Sequence, residues 1–270
     1  MRIAFLGGGN MAGALIGGLI AKGTDARSIS VIEVSPAARE RLAARYPVHI
    51  VTDPEAAMQR SEILVLAVKP QDAKAALSSV SGRLQAKLLI SIAAGLTLEV
   101  LSRWLGGHRK LVRCMPNTPA LIGAGIAALY ALPEVSSDER RRAEEILSAV
   151  GEVVWVGEER LLDPVTAVSA SGPAYVFWFI EQLAASGVRL GFNKETALKL
   201  ALHTVLGAAK LAASSSESPQ SLRKNVTSKG GTTEAALKVF DEEKLAERFM
   251  RAVEAASRRA TQLGEELGKD

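Results

Sequence analysis

The chain is poor in the residues that most often announce chemistry. Its 270 residues include one cysteine, Cys114, so no internal disulfide can form. That economy suits a reducing compartment and points to the cytoplasm. The three histidines, His49, His108 and His203, lie in no metal-ligand pattern with each other or with Cys114, and there is no HExxH. No metal site is expected. Nor does any histidine stand in a motif that would activate Cys114, which within LVRCMPNTP reads as a small buried hydrophobe. Aromatic residues are only 4% of the chain, too few for a nucleic-acid groove with stacking platforms. The net charge of +4 is spread among glutamates, as in SDERRRAEE, which is the pattern of a solvated helix face. Residues 3–21 carry no charge and have the length of a membrane span. Six of those nineteen residues are glycine, however, and Asn10 interrupts the run, so no membrane segment is expected.

What is present is alternation. RIAFLG reads as a short buried strand, GGGNMAG as a turn, and ALIGGLIAKG as a helix. Gly7, Gly9 and Ala12 satisfy G-x-G-x-x-A. Gly7 serves the tight turn, Gly9 lets a pyrophosphate approach backbone, and Ala12 permits close strand–helix packing. Alone the pattern is weak. Here it follows a strand, opens a helix and precedes Glu33, about twenty residues on, where a ribose ligand belongs. Glu33 favours NADH, whereas Ser35 and Arg39 could take the 2′-phosphate of NADPH, so both cofactors stay open.

Strands then follow at SISVIE, HIV, EILVLAVKP, KLLISIAAG and KLVRCMPNTP, separated by helical stretches. The runs 124–130 and 152–156 extend the series around a charged helix. Strand–helix alternation predicts a mostly parallel sheet, a Rossmann α/β domain over residues 1–160. From Asp163 onward no strand pattern remains. Residues 161–270 are therefore expected to form an all-α domain, with an amphipathic helix at 195–213, a break at Ser171-Gly172-Pro173 and a long final helix. A helical half of that size with long apolar faces suggests a dimer.

Open parallel sheets bind ligands at the carboxyl ends of their strands. AVKP (67–70), SIAAG (91–95) and MPNTP (115–119) are such ends, with Lys69 and Asn117 their polar groups. A separate loop, NVTSKGGTTEAAL (225–237), carries two glycines and hydroxyls into a helix start. It lacks the Lys-Ser/Thr of a P-loop and suits a small carboxylate.

Six blocks in this order, FLGGGNMAGALIGGL, LAVKP, SIAAG, RCMPNTPAL, VSASGPAYVF and NVTSKGGTTEAAL, resemble the pyrroline-5-carboxylate reductase family across nearly the whole chain. The resemblance implies reduction of 1-pyrroline-5-carboxylate to L-proline with NADPH or NADH, the last step of proline biosynthesis. It implies a Rossmann domain followed by a helical dimerisation domain, an active site at the dimer interface, and dimers that often gather into a ring-like decamer. By the same resemblance, Gly7, Gly8, Gly9, Asn10, Met11 and Ser35 bind the cofactor phosphates. Ala67, Val68, Lys69, Pro70, Ile92, Ala93, Ala94 and Asn117 line its nicotinamide end. Ser228, Gly231 and Thr232 hold the substrate carboxylate and Thr233 the ring nitrogen, with Glu159 and Asn225 nearby. Thr233 and Lys69 are the catalytic candidates.

The sequence departs from the family pattern at Lys229, where proline is common, at Ala170, where glycine is common, and at Glu33, a variable position. A hydroxyacid dehydrogenase would need a lysine in a G-x-x-x-N-K helix, and residues 172–178 are GPAYVFW. A non-catalytic NAD(P)-binding regulator would have no use for the carboxylate loop.

Overall fold

The computed structural model describes residues 1–269. The chain divides into two compact units, one formed by Met1–Ser171 with the chain from Ala255 onward, the other by Gly172–Glu254.

The first unit is built on an eight-stranded sheet in the order β3-β2-β1-β4-β5-β6-β7-β8. Its strands are β1 (Ile3–Leu6), β2 (Ile29–Ile32), β3 (His49–Val51), β4 (Ile63–Leu66), β5 (Leu88–Ser91), β6 (Leu111–Pro116), β7 (Gly125–Ala131) and β8 (Gly151–Trp155). Every pairing is parallel except β6–β7. Helices α1 (Asn10–Ala21), α2 (Pro36–Arg45), α3 (Pro54–Arg60), α4 (Ala73–Ser78), α5 (Leu98–Trp104) and α6 (Ser137–Ser148) connect them.

The central strands IAFL, ISVI, ILVL and LLIS are buried at every residue. That follows from helices covering both faces, and it is why these strands read as continuous apolar runs rather than alternating ones. One core joins Phe5, Ile16, Val31 and Leu147 on the α1 and α6 side, and a second joins Leu64, Leu77, Leu89 and Leu101 on the α4 and α5 side.

Beyond β8, a short helix α7 (Leu162–Val165) runs into a π-helical turn at Thr166–Ala170. The break read at Ser171-Gly172-Pro173 falls at the end of this turn. The second unit contains α8 (Gly172–Arg189), α9 (Lys194–Ser214), α10 (Pro219–Asn225) and α11 (Thr232–Glu242), and then the first part of α12 (Leu245–Leu267). Helices α8 and α9 pack on each other, with Gly187 against Ala197. The remainder of α12 belongs to the sheet unit.

Candidate active site

Strands β1, β4, β5 and β6 run parallel, so the segments after them emerge on one edge of the sheet. This brings Gly7–Met11, Ala67–Pro70, Ile92–Gly95 and Asn117 onto a common rim. The rim is stitched by backbone bonds from Gly7 N–H to the Ile32 carbonyl (2.9 Å), from Ala67 N–H to Leu6 (2.8 Å) and from Ile92 N–H to Leu66 (3.1 Å).

The β1–α1 turn is built for backbone proximity. Gly7 has φ +101°, and a Cβ there would stand 2.8 Å from the Ala67 carbonyl oxygen. Only glycine holds that turn without strain. Helix α1 then starts at Gly9 with no side chain capping it and no acidic residue in its first turn. By contrast Ser35, Ser136 and Asn193 cap α2, α6 and α9. An uncapped N-terminus behind a glycine turn leaves N–H groups and the positive helix end for an anion, so these residues fit a dinucleotide pyrophosphate.

Glu33 directly follows β2 beside this turn. Its carboxylate accepts the Gly8 N–H (2.7 Å) and the Ser35 N–H (2.7 Å), which fixes it against the β1–α1 turn. The Ser35 hydroxyl accepts the Ala38 N–H as the α2 cap. Arg39 curls back and donates to the carbonyls of Glu33 and Val34.

At the other end of the rim, Lys69 is exposed and begins the turn after β4. Asn117 is buried, and its side chain is engaged within the protein. It accepts the Ile126 N–H (3.0 Å) and donates to the carbonyl of Ser169 (3.3 Å) inside the π-helical turn. Its amide thus joins β7 to the VSASGP segment.

Arg113, one residue before Cys114, was missed in the sequence as a site-building residue. Its side chain is only 4% exposed and is held by two carboxylates, Glu159 (3.2 Å) and Asp163 (2.8 Å). Glu159 also accepts the Leu98 N–H at 2.7 Å, at the start of α5. Both of these bonds fall on the same oxygen, Oε1. The available signal was an arginine inside an apolar strand, which has to find partners. Cys114 beside it is fully buried, and burial pushes its thiol upward, so it stays protonated and inert.

The second cluster lies in the helical unit, in the connection from α10 to α11. Asn225 ends α10 and donates to Glu217 (2.9 Å). The Ser228 carbonyl accepts the Gly231 N–H (3.0 Å), and Gly231 begins α11 with no side-chain cap on it. Glu234 reaches back to the Gly230 N–H (2.6 Å). Thr232 and Thr233 occupy the first turn, and Thr233 is half-buried. Ser228, Gly231, Thr232 and Thr233 are therefore gathered at one helix start, whose first turn also carries Glu234.

A family model for pyrroline-5-carboxylate reductase dimerisation matches residues 159–263, and one for NADP oxidoreductases, coenzyme F420-dependent, matches residues 2–95. A pyrroline-5-carboxylate reductase of Pseudomonas aeruginosa is 44% identical over 99% of this chain and 98% of its own, and one of Synechocystis is 43% identical over 98% of both. Among solved structures, a pyrroline-5-carboxylate reductase from Coxiella burnetii superposes with a TM-score of 0.92 at 41% identity, covering 97% of this chain and 98% of that one. The Plasmodium falciparum pyrroline carboxylate reductase, solved with NADP bound, gives 0.86 at 30% identity over 98% of both. With full-length identity at this level and both halves matched, the chain belongs to the pyrroline-5-carboxylate reductase family of NAD(P)-dependent oxidoreductases.

Proposed function

We propose that the protein reduces 1-pyrroline-5-carboxylate to L-proline, with residues 1–160 serving the cofactor and residues 161–270 serving substrate binding and dimerisation. The observation that carries this reading is the pair of uncapped glycine-led helix starts, α1 in the sheet unit and α11 in the helical unit. Either start can seat an anion, although the first turn of α11 also carries Glu234, bonded to the Gly230 N–H, and the reaction has two anions to hold, a pyrophosphate and a ring carboxylate.

Gly9, Asn10 and Met11 hold the phosphates at the start of α1, and Gly7 and Gly8, whose N–H groups are bonded to Ile32 and Glu33, shape the turn that admits them. Glu33 takes the ribose hydroxyls, and Ser35 with Arg39 offers a seat to a 2′-phosphate. Ala67, Val68, Lys69, Pro70, Ile92, Ala93, Ala94 and Asn117 shape the ring end of the rim. A bound nicotinamide supplies the hydride. Ser228, Gly231 and Thr232 grip the carboxylate, and the Thr233 hydroxyl bonds the ring nitrogen, which fixes the face of the C=N bond. A protonated cyclic imine is already electrophilic, so orientation does most of the work. Lys69 adds positive charge at the rim. Glu159 matches a family position around the substrate and is itself held by Arg113 and the Leu98 N–H, and Asn225 braces the loop through Glu217.

The protein works as a homodimer, in keeping with the apolar surface that α8, α9 and α12 carry, and the family resemblance makes a decamer of five dimers its expected larger assembly. One buried cysteine suits the cytoplasm, and no helix among the described residues is long and apolar enough to cross a membrane.

The test is oxidation of NADPH and of NADH by purified protein with 1-pyrroline-5-carboxylate. Turnover with neither cofactor sinks the reading. In the same assay Thr233→Ala should lower kcat by about 10- to 100-fold and leave cofactor Kd within about twofold. Loss of cofactor affinity instead would remove Thr233 from the substrate site.

A further inference from the structure

We infer that the last turns of α12 are a positioning device for the Ile92–Gly95 loop, with Gly264 as its central residue. The inference rests on the reading of that loop as a wall of the nicotinamide site.

The loop hangs between β5 and α5, and its own bonds are few. Ile92 N–H reaches the Leu66 carbonyl, and Ala93 N–H reaches the Ser91 hydroxyl at 3.3 Å. Gly95 then turns with φ +79°. Against it lies α12. A Cβ on Gly264 would stand 2.8 Å from the Gly95 carbonyl oxygen, and a Cβ on Gly95 would meet Leu267 Cδ1 at 3.3 Å and Gly264 N at 3.4 Å. Two backbones touch here with no side chain between them. Glycine inside a helix costs about 0.5–1 kcal/mol relative to alanine, so Gly264 is a poor choice for α12 alone. The contact with Gly95 explains it.

A second route joins the same parts. Thr261, one turn before Gly264, donates its hydroxyl to Asp163 Oδ2 (3.3 Å). Asp163 Oδ1 holds Arg113, Arg113 holds Glu159, and Glu159 holds the Leu98 N–H just past the loop. The far end of α5 is tied as well, by Arg103 donating to the Gly268 carbonyl (2.6 Å). Leu267 packs into the core beneath α4 and α5. Helix α12 therefore presses on the loop directly at Gly95 and restrains α5 at both ends. The Ile92–Gly95 wall is held by a helix that is more than 150 residues later in sequence. Gly264 and Thr261 act through the loop and are positioning residues, not catalytic ones.

The experiment compares wild type with Gly264→Ala, which forces the contact apart, and Thr261→Val, which removes one bond without adding bulk. In cofactor-free protein, amide hydrogen exchange at Ile92, Ala93 and Leu98 should rise about tenfold in Gly264→Ala and less in Thr261→Val, with the central strands unchanged. In turnover, kcat of Gly264→Ala should fall about tenfold while substrate KM and cofactor Kd stay within about threefold. The isotope effect with cofactor deuterated at the transferred position should rise, because hydride transfer becomes the slow step. Unchanged exchange at the three amides overturns the inference. So does a parallel collapse of melting temperature, cofactor affinity and activity in both variants, which would make α12 a fold support only. Should wild type turn over no cyclic imine, the exchange result still decides the positioning role, and only the functional reading falls.

Discussion

The two units solve the problem of burial in opposite ways. In the sheet unit, β1, β2, β4 and β5 bury every residue, and the cores on both faces are closed by the unit's own helices. In the helical unit, α8 buries none of its residues and α9 only Ala197 and Ala201. Phe177, Trp178 and Phe179 stand 60%, 56% and 47% exposed, with Leu198, Leu202 and Leu206 exposed on α9. An apolar surface of that kind is a core cut in half. The first unit is finished as a monomer, and the second is finished by a second copy, as its match to a dimerisation family requires. The sheet unit can therefore survive where the helical unit cannot.

The largest effect should come from breaking that asymmetry on its weak side. Trp178→Asp together with Phe177→Asp places two charges in the surface that must be buried. Sedimentation should show monomers, and turnover should fall by about 100-fold or more. NAD(P)H binding, followed by its fluorescence, should persist. A variant that remains dimeric and active would mean that α8 is not the dimer face.

Next in size is Arg113, inside the strong side. Replacing it with methionine leaves Glu159 and Asp163 facing each other without their shared cation. Breaking one partner of a buried pair costs about 3–5 kcal/mol. Denaturant unfolding of Arg113→Met should show a loss of that order. A loss under about 1 kcal/mol would show that the site is wet enough to solvate both carboxylates.

The sheet was legible because its strands are buried on both faces and bounded by glycine and proline: IAFL before Gly7, ILVL before Lys69-Pro70, LLIS before Ala93-Ala94-Gly95. The reversal of β7 was also within reach. Only residues 117–124 join β6 to β7, and a parallel crossover needs about a dozen residues or more. The glycine turns and helix starts were legible as well, since both are local signals. What escaped was non-local. Arg113 finds its partners 46 and 50 residues away. Gly264 looks in sequence like a weak spot near a helix end, and the reason for it, Gly95, lies in another strand–helix connection. Asn117 was read as facing the cofactor, and the sequence could not say that its amide ties β7 to Ser169.

The two helix starts sharpen the comparison further. Gly7 is locked by φ +101° and a backbone neighbour, whereas Gly231 has an ordinary φ of −83° and its nearest obstacle is the Ser228 side chain. Gly7→Ala therefore strains a rigid turn by about 1–3 kcal/mol, raising cofactor Kd by about 10- to 100-fold. Gly231→Ala should instead raise KM for the imine several-fold and spare cofactor Kd. Titrations of both variants with NAD(P)H decide the matter, and an equal loss of cofactor affinity in the two would erase the proposed division of anions.

The smallest effect concerns which cofactor the sheet unit prefers. Glu33 cannot swing aside without giving up its bonds to Gly8 and Ser35, so a 2′-phosphate meets a fixed negative charge, while ribose hydroxyls meet an acceptor. Arg39 lies against the same loop and pulls the other way. Glu33→Gln keeps the shape, weakens both backbone bonds and removes the charge. It should move the ratio of kcat/KM for NADPH over NADH upward by about tenfold, and Arg39→Ala should move it downward. Both shifts should shrink at high salt, because the groups stand at the surface. A ratio that moves less than about twofold in Glu33→Gln would place the selectivity elsewhere on the rim, with Ser35 as the next residue to change, because its hydroxyl already serves the α2 cap and could only turn to a phosphate by leaving it.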